Sequence, residues 1–175
     1  MPRTSVPKII HNFLKTKKIN TIFGYSGGSV MPIFDTFYND STRLIINTNE
    51  QCVGHAATGY SKSSNKTGIA LVTSGPGITN MITPMLDATN DSTPLIVISG
   101  QVSLNAIGTD AFQEAPAIEL SKNVTKWSYQ IKDPNDTQYV LEKAYNIAND
   151  GKKGSVHIDI PKCISNSIIN NEEFI

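Results

Sequence analysis

A single carboxylate, Glu50, is the residue whose surroundings first suggest chemistry. It stands in the stretch IINTNEQCVGHAATGY, where a short apolar run gives way to a helix-like segment of small residues. It occupies the first turn of that predicted helix, where the helix dipole favours a charged carboxylate. Two roles are therefore open for Glu50: a helix cap, or a buried carboxylate that requires a partner such as a ligand nitrogen.

Glycine-rich turns are the second candidate feature. YSGGS (25–29) and SGPGITN (74–80) each follow an apolar run and precede a helix-like segment. Glycine lets the backbone approach a ligand closely, and a helix that starts after such a turn presents free N–H groups. The alternative is that each turn only links a strand to a helix, because such turns use glycine routinely.

The predicted elements place these residues at one edge of a sheet. Apolar residues in segment 5–18 recur with the spacing of one helical face. Further helices are predicted at 30–38, 50–64, 78–89 and 134–149, and strand-like runs with their turns at 21–28, 44–49, 68–77, 94–101 and 155–162. Runs such as IALV and LIVI are apolar on both faces, which is typical of strands covered by helices on each side. The sequence therefore predicts an α/β fold, a three-layer doubly wound parallel sheet.

Ligands bind such sheets beyond the carboxyl ends of the strands. The segments at those ends are YSGGS, NEQ, SGPGITN and SGQ. We therefore expect Glu50 and the glycine turns to lie at the same edge.

Composition limits the classes of partner. The chain has 175 residues, of which 39% are apolar, which suits one domain with a real core. Lysine plus arginine (15) equals aspartate plus glutamate (15), so we expect a small molecule or another protein as partner, not nucleic acid or a membrane. Neither a bilayer span nor a signal peptide is recognised, and a cytoplasmic location is predicted. Cys52 and Cys163 lie far apart, so neither a disulfide scaffold nor a metal site is expected.

The sequence does not fit a nucleotide-binding motif. GPGITN has Asn80 where the dinucleotide fingerprint needs a third small residue, and the next strand ends in Gly100 and Gln101 without the acid that binds a ribose. No phosphate-loop motif occurs. His55 is interpreted as a packed or interface histidine, because no neighbour in sequence completes a triad or a metal set.

The sequence resembles a known family over nearly its whole length. FGYSGGSVMPIFD, the segment from NEQCVGHAATGY through SGPGITN to ISGQV, and IGTDAFQE are similar to the N-terminal, pyrimidine-binding domain of the acetohydroxyacid synthases, also called acetolactate synthases. The resemblance implies a flavodoxin-like arrangement of the sheet and dependence on thiamine diphosphate. It also implies a role in branched-chain amino acid biosynthesis: decarboxylation of pyruvate and condensation with a second 2-oxo acid.

The resemblance assigns roles to individual positions. Glu50 matches the glutamate that hydrogen-bonds N1′ of the cofactor's aminopyrimidine and promotes the tautomer that removes the C2 proton. Gln113 matches a glutamine that reaches the cofactor and the reacting centre, and Phe112 matches a residue on the substrate side. The remaining matched cofactor-binding positions are Tyr25, Gly27, Gly28, Pro76 and Asn80.

Three positions depart from the family pattern. Ser26 stands where proline is usual, Ser29 where alanine is usual, and Asn49 where histidine commonly precedes the Glu-Gln pair. Activation chemistry is expected to survive these changes, while efficiency and substrate preference are open.

The resemblance also implies parts that this sequence lacks. The family binds the cofactor's diphosphate through Mg²⁺ in a C-terminal domain with a Gly-Asp-Gly motif, and FAD largely through a middle domain; the motif is absent here. We therefore predict a pyrimidine-binding domain over 1–163, a linker start or frayed tail over 164–175, no activity alone, and a homodimer. The alternatives are a natural subunit of a split 2-oxo acid decarboxylase, or a non-catalytic binding or regulatory module.

Overall fold

The computed structural model describes residues 3–170. Its strands are β1 (Arg3–Ser5), β2 (Thr21–Gly24), β3 (Arg43–Ile46), β4 (Gly68–Val72), β5 (Leu95–Gln101), β6 (Trp127–Gln130), β7 (Ser155–Pro161) and β8 (Ile168–Asn170). Its α-helices are α1 (Val6–Thr16), α2 (Met31–Asp35), α3 (Glu50–Ser64), α4 (Pro76–Thr79), α5 (Ile82–Asn90), α6 (Ala117–Ser121), α7 (Thr137–Asn149) and α8 (Lys162–Ser165). Short 3₁₀ turns lie at Leu104–Ala106 and Pro134–Asp136.

Six strands form one parallel sheet in the order β3-β2-β4-β5-β7-β6. From β2 the chain moves outward to β3 and then returns to β4 on the other side of β2. This reversal opens a crevice at the carboxyl ends of β2 and β4, which is where doubly wound sheets bind ligands. The predicted fold class is confirmed.

Two hydrophobic cores cover the two faces of the sheet. Ile69 and Leu71 of β4 face the core built with α1, α2 and α7, whereas Ala70 and Val72 face the core built with α3, α4 and α5. Alternate residues of β5 divide in the same way. Because both faces are buried, these strands need apolar residues at successive positions, and this explains the continuous runs in the sequence.

Several elements differ from the sequence-based expectation. The predicted helix 78–89 starts earlier, at Pro76, and is interrupted between Thr79 and Ile82, while the predicted helix 30–38 is shortened to α2. The edge strand β6 and helix α6 were not predicted. The four residues of β6 are polar or aromatic and only partly buried, so they lack the apolar run that marked the other strands.

The chain beyond β7 packs back onto the domain. Ile164 and Ile169 are buried, and β8 pairs with β1 as a separate antiparallel ladder. The boundary after residue 163 stays a prediction, and residues 171–175 of the predicted linker or frayed tail lie outside the described part.

The small residues of α3 serve a contact within the domain. A Cβ on Gly54 would lie 2.4 Å from Cγ of Pro84 in α5, so only glycine permits this approach of the two helices. Met81, which is fully buried, has its Cε 2.9 Å from the same Cβ position. A Cβ on Gly59, by contrast, would meet no atom within 4 Å. The small residues around Gly54 therefore pack against α5 inside the domain.

Within residues 3–170, none of the helices combines the length and apolar character that a bilayer crossing requires.

Candidate functional site

Asn49, not Glu50, caps helix α3. The Asn49 side-chain oxygen accepts hydrogen bonds from the backbone N–H groups of Gln51, at 2.8 Å, and Cys52, at 3.4 Å. Its extended backbone is the usual geometry of a capping residue. Asn49 is therefore the helix cap, and capping does not account for the carboxylate of Glu50.

The Glu50 carboxylate is buried at the edge of the crevice. The residue is 7% exposed, and its Oε2 accepts a hydrogen bond from the Asn80 side-chain amide at 2.9 Å. Within residues 3–170 no side chain donates to Oε1. One carboxylate oxygen is thus oriented by Asn80, while the other remains available to a donor outside this chain.

The two glycine turns are joined by a hydroxyl pair. Ser29 Oγ lies 3.0 Å from Thr73 Oγ1 and accepts the backbone N–H of Ser74 at 3.2 Å. A Cβ on Gly27 would lie 2.4 Å from Thr73, so the first turn fits closely against the end of β4. An alanine at position 29 could not make these bonds, so the Ser29 hydroxyl is what joins the two turns.

Open space lies beside the first turn at two of the predicted positions. A Cβ on Gly28 would meet no atom within 4 Å, and Tyr25 is 38% exposed. At this turn, Gly28 and Tyr25 are accessible to a ligand.

The second turn contacts the loop that carries Gln113. Gly75 adopts φ +56° and ψ −113°, and a Cβ there would lie 2.7 Å from the backbone oxygen of Gln113. Gln113 itself has φ +60° and is exposed, and Phe112 is 89% exposed. The structure thus places the Gln113 backbone beside Gly75, next to Pro76. The Phe112 side chain makes few contacts within residues 3–170.

Sequence reasoning missed Asn47, which directly follows β3. Its Oδ1 is buried without a hydrogen-bond partner in the described part of the chain, while its backbone N–H donates to the oxygen of Gly24 at 3.2 Å. A buried acceptor without a partner is uncommon and requires an explanation. One explanation is a polar group of a ligand at this edge of the sheet.

A buried polar cluster on β5 and β7 was also missed. Ser99 Oγ donates to Asp159 Oδ1 at 2.7 Å and lies 2.8 Å from His157 Nε2, while His157 Nδ1 lies 2.8 Å from Ser121 Oγ. Serine lies between histidine and aspartate here, whereas a hydrolase triad needs histidine in the middle. Ser99 is also fully buried. The cluster is therefore structural. The alternation of polar and apolar residues in SVHIDI is the sequence pattern that could have revealed it.

The same cluster predicts how stability depends on pH. Burial raises the pKa of Asp159 to about 6 and lowers the pKa of His157 to about 3. The Asp159 contribution is full below the unfolded pKa of ~3.9 and is lost as pH rises through the folded pKa. The His157 contribution is full above the unfolded pKa of ~6.5 and is lost as pH falls. The two contributions oppose each other between about pH 4 and pH 6.

We therefore expect Asp159→Asn to increase the slope of the unfolding free energy against pH in that interval, because only the histidine contribution remains. Urea unfolding at several pH values measures this slope. His157→Gln is the companion variant and should change the slope in the opposite direction. Equal slopes in wild type and Asp159→Asn would show that the carboxyl does not titrate differently in the folded state.

Residues 4–120 match the family described as "Thiamine pyrophosphate enzyme, N-terminal TPP binding domain". The chain belongs to this family. The match spans Glu50, both glycine turns and the Gln113 loop, so the crevice lies within the TPP binding domain itself.

Similar curated proteins are acetolactate synthases. The chain is 44% identical over 163 residues to the mitochondrial acetolactate synthase of Schizosaccharomyces pombe, covering 93% of this chain and 24% of that protein. It is 41% identical over 165 residues to the mitochondrial acetolactate synthase catalytic subunit of Saccharomyces cerevisiae, covering 94% and 24%. It is 42% identical over 163 residues to the acetolactate synthase large subunit of Lactococcus lactis, covering 93% and 28%. The chain thus spans about a quarter of the length of these relatives.

The residues of this TPP binding domain fit one half of the cofactor. A buried carboxylate with one available oxygen suits a ring nitrogen that carries a proton, and the unpartnered Asn47 oxygen suits a further donor. Among residues 3–170, no group of three or more His, Cys, Asp or Glu is arranged to hold a metal ion.

Proposed function

We propose that this chain is the pyrimidine-binding domain of an acetolactate synthase, which decarboxylates pyruvate and joins the product to a second 2-oxo acid. The observation that carries the proposal is the position of Glu50. Its carboxylate is buried and oriented at the crevice, and Asn49 performs the capping that would otherwise explain an acidic residue there.

Glu50 is proposed to accept a hydrogen bond at Oε1 from N1′ of the aminopyrimidine. Asn80 fixes the carboxylate through Oε2, so Asn80 orients the catalytic group. A negative charge held beside N1′ favours protonation at that nitrogen. When bound, thiamine diphosphate supplies the nucleophilic carbon and the electron sink for decarboxylation.

The other predicted contacts are proposed to line the same crevice. Gly27 and Gly28 would allow close approach of the backbone to the cofactor, with Tyr25 and Pro76 as walls. Gln113 is proposed to reach the reacting centre, and its place beside Gly75 supports this role. The exposed ring of Phe112 is available to the substrate side or to another domain.

The rest of the enzyme is proposed to supply the remaining groups. A diphosphate-binding domain in the same longer chain or in a partner subunit would hold Mg²⁺, and a further domain would hold FAD. The domain is proposed to span 1–163 and to work in a homodimer in the cytoplasm. Only scattered apolar side chains, such as those of Leu86 and Met31, support self-association through this part of the chain.

The 175-residue chain by itself should release no carbon dioxide from pyruvate when supplied with thiamine diphosphate and Mg²⁺. The complete polypeptide that carries it should release carbon dioxide and form acetolactate under the same conditions. The reason is that this chain spans only a quarter of its relatives and holds only the pyrimidine side of the proposed site. Carbon dioxide release and acetolactate assays measure both.

Turnover by the 175-residue chain would contradict the division of the site between domains. Absence of acetolactate from the complete polypeptide would contradict the proposed function. A complete polypeptide with Glu50→Gln serves as the negative control, because it differs at one position only.

A further inference from the structure

The loop that carries Gln113 has a shape that packing alone does not fix. Gly108, Asp110 and Gln113 all have left-handed backbone conformations, with φ of +84°, +58° and +60°. Such conformations are costly for residues other than glycine unless the surroundings hold them. A cavity of about 530 Å³ lies between this loop and the end of β6, so side-chain packing on that side is incomplete.

The Glu114 carboxylate holds the loop from within. Its two oxygens accept the backbone N–H groups of Gly108 and, at 3.1 Å, Ala111. These hydrogen bonds, the one from Gly108 foremost, lower the pKa of Glu114 below its ordinary value, because they favour the charged carboxylate. A charged acceptor makes stronger hydrogen bonds to backbone N–H groups than a neutral one.

The Gln101 side chain holds the loop at its base. Its Nε2 donates to the backbone oxygen of Ala115 at 2.9 Å, and its Oε1 accepts the backbone N–H of Val102 at 2.9 Å. The residue is 2% exposed, and Asp159 accepts a longer bond from the same Nε2 at 3.4 Å. Gln101 thus ties the loop to the end of the central strand β5.

We propose that Glu114 and Gln101 are positioning residues that hold Gln113 in its working place. Gln113 lies between Ala111, which Glu114 holds, and Ala115, which Gln101 holds, and its backbone rests on Gly75. Neither residue contacts the crevice groups around Glu50; both act through the backbone of the loop. The inference rests on the proposed function, because that function places Gln113 at the reacting centre.

The test compares Glu114→Gln with Glu119→Gln in the complete enzyme. Both variants remove one carboxylate charge beside the same cavity, but only Glu114 binds loop N–H groups. Glu114→Gln should speed hydrogen exchange of the Gly108 and Ala111 amides and lower kcat by about 10-fold to 100-fold, because small displacements of a catalytic group have effects of this order. C2 proton exchange, which depends on Glu50, should stay at the wild-type rate.

Gln101→Met and Gln130→Met form a second matched pair. Both glutamines donate to Asp159 Oδ2, but only Gln101 also binds Ala115. We expect kcat to fall further in Gln101→Met than in Gln130→Met, while C2 proton exchange is the same in the two variants.

Three results would overturn the positioning proposal. The first is unchanged amide exchange in Glu114→Gln, and the second is a loosened loop with unchanged kcat. The third is an equal kcat in the two glutamine variants. A wild-type enzyme without acetolactate turnover would instead refute the proposed function and the positioning role with it, while the exchange data would still show whether Glu114 holds the loop.

Discussion

Replacement of Glu50 by glutamine should slow exchange of the cofactor's C2 proton and reduce turnover of the complete enzyme by a factor on the order of 10² to 10⁴. Glutamine has nearly the same size and can still bond to Asn80, but it carries no negative charge to favour a proton at N1′. The apo fold should change little in stability, because the variant removes a buried charge that is costly without its ligand.

Hydrogen–deuterium exchange at C2 of bound thiamine diphosphate measures the effect, and thermal unfolding without cofactor measures stability. Asn49→Ala is the matched control, because it removes the helix cap and should cost about 1 kcal/mol of stability while leaving C2 exchange at the wild-type rate. Equal exchange rates in Glu50→Gln and wild type would reduce Glu50 to a structural residue. Collapse of the apo Glu50→Gln fold would do the same.

Replacement of Gly75 by alanine should damage both stability and turnover. The backbone at Gly75 has φ +56° and ψ −113°, a region that only glycine enters readily, and the added Cβ would lie 2.7 Å from the Gln113 oxygen. We expect a loss of about 1–3 kcal/mol in the free energy of unfolding. Relief of the clash should displace Gln113, so kcat should fall by roughly 100-fold.

Gly28→Ala is the control for this effect on stability. Its added Cβ would meet no atom within 4 Å and its φ is not left-handed, so the unfolding free energy should stay within about 0.5 kcal/mol of wild type. Chemical denaturation of both apo variants provides the comparison. If Gly75→Ala were as stable and active as wild type, the contact between Gly75 and the Gln113 loop would contribute neither to stability nor to turnover.

The parts of the fold that depend on local pattern were predictable from the sequence. Ile96 and Val97, on opposite faces of β5, are both buried, and continuous apolar runs of this kind marked the central strands. The edge strand β6 carries no such run, because its residues Trp127–Gln130 are polar or aromatic and only partly buried. The pairing of β1 with β8 joins residues from opposite ends of the described chain, and three-residue strands leave no periodicity to detect.

In the candidate site, too, some residues can be predicted from the sequence and others cannot. Glu50 was recognisable because its position at the start of a helix and the resemblance agreed. Its capping neighbour was interpreted only as a departure from the family, because the hydrogen bonds of Asn49 depend on backbone angles that the sequence does not display. Gln101 and Ala115 are fourteen residues apart in the sequence, so no local pattern predicts the hydrogen bond between them.

The ladder of β1 and β8 has a mechanical consequence. Its outermost pair is Arg3 with Asn170, followed inward by Thr4 with Ile169 and Ser5 with Ile168. A pulling force applied between Arg3 and Asn170 would open these antiparallel pairs one after another, starting from the outermost pair. Each step breaks only a bond or two of modest net strength. The ladder would therefore yield first under tension, and Ser165, whose Oγ donates to the backbone oxygen of Ser29 in the first glycine turn at 3.4 Å, would bear load only after the ladder has opened.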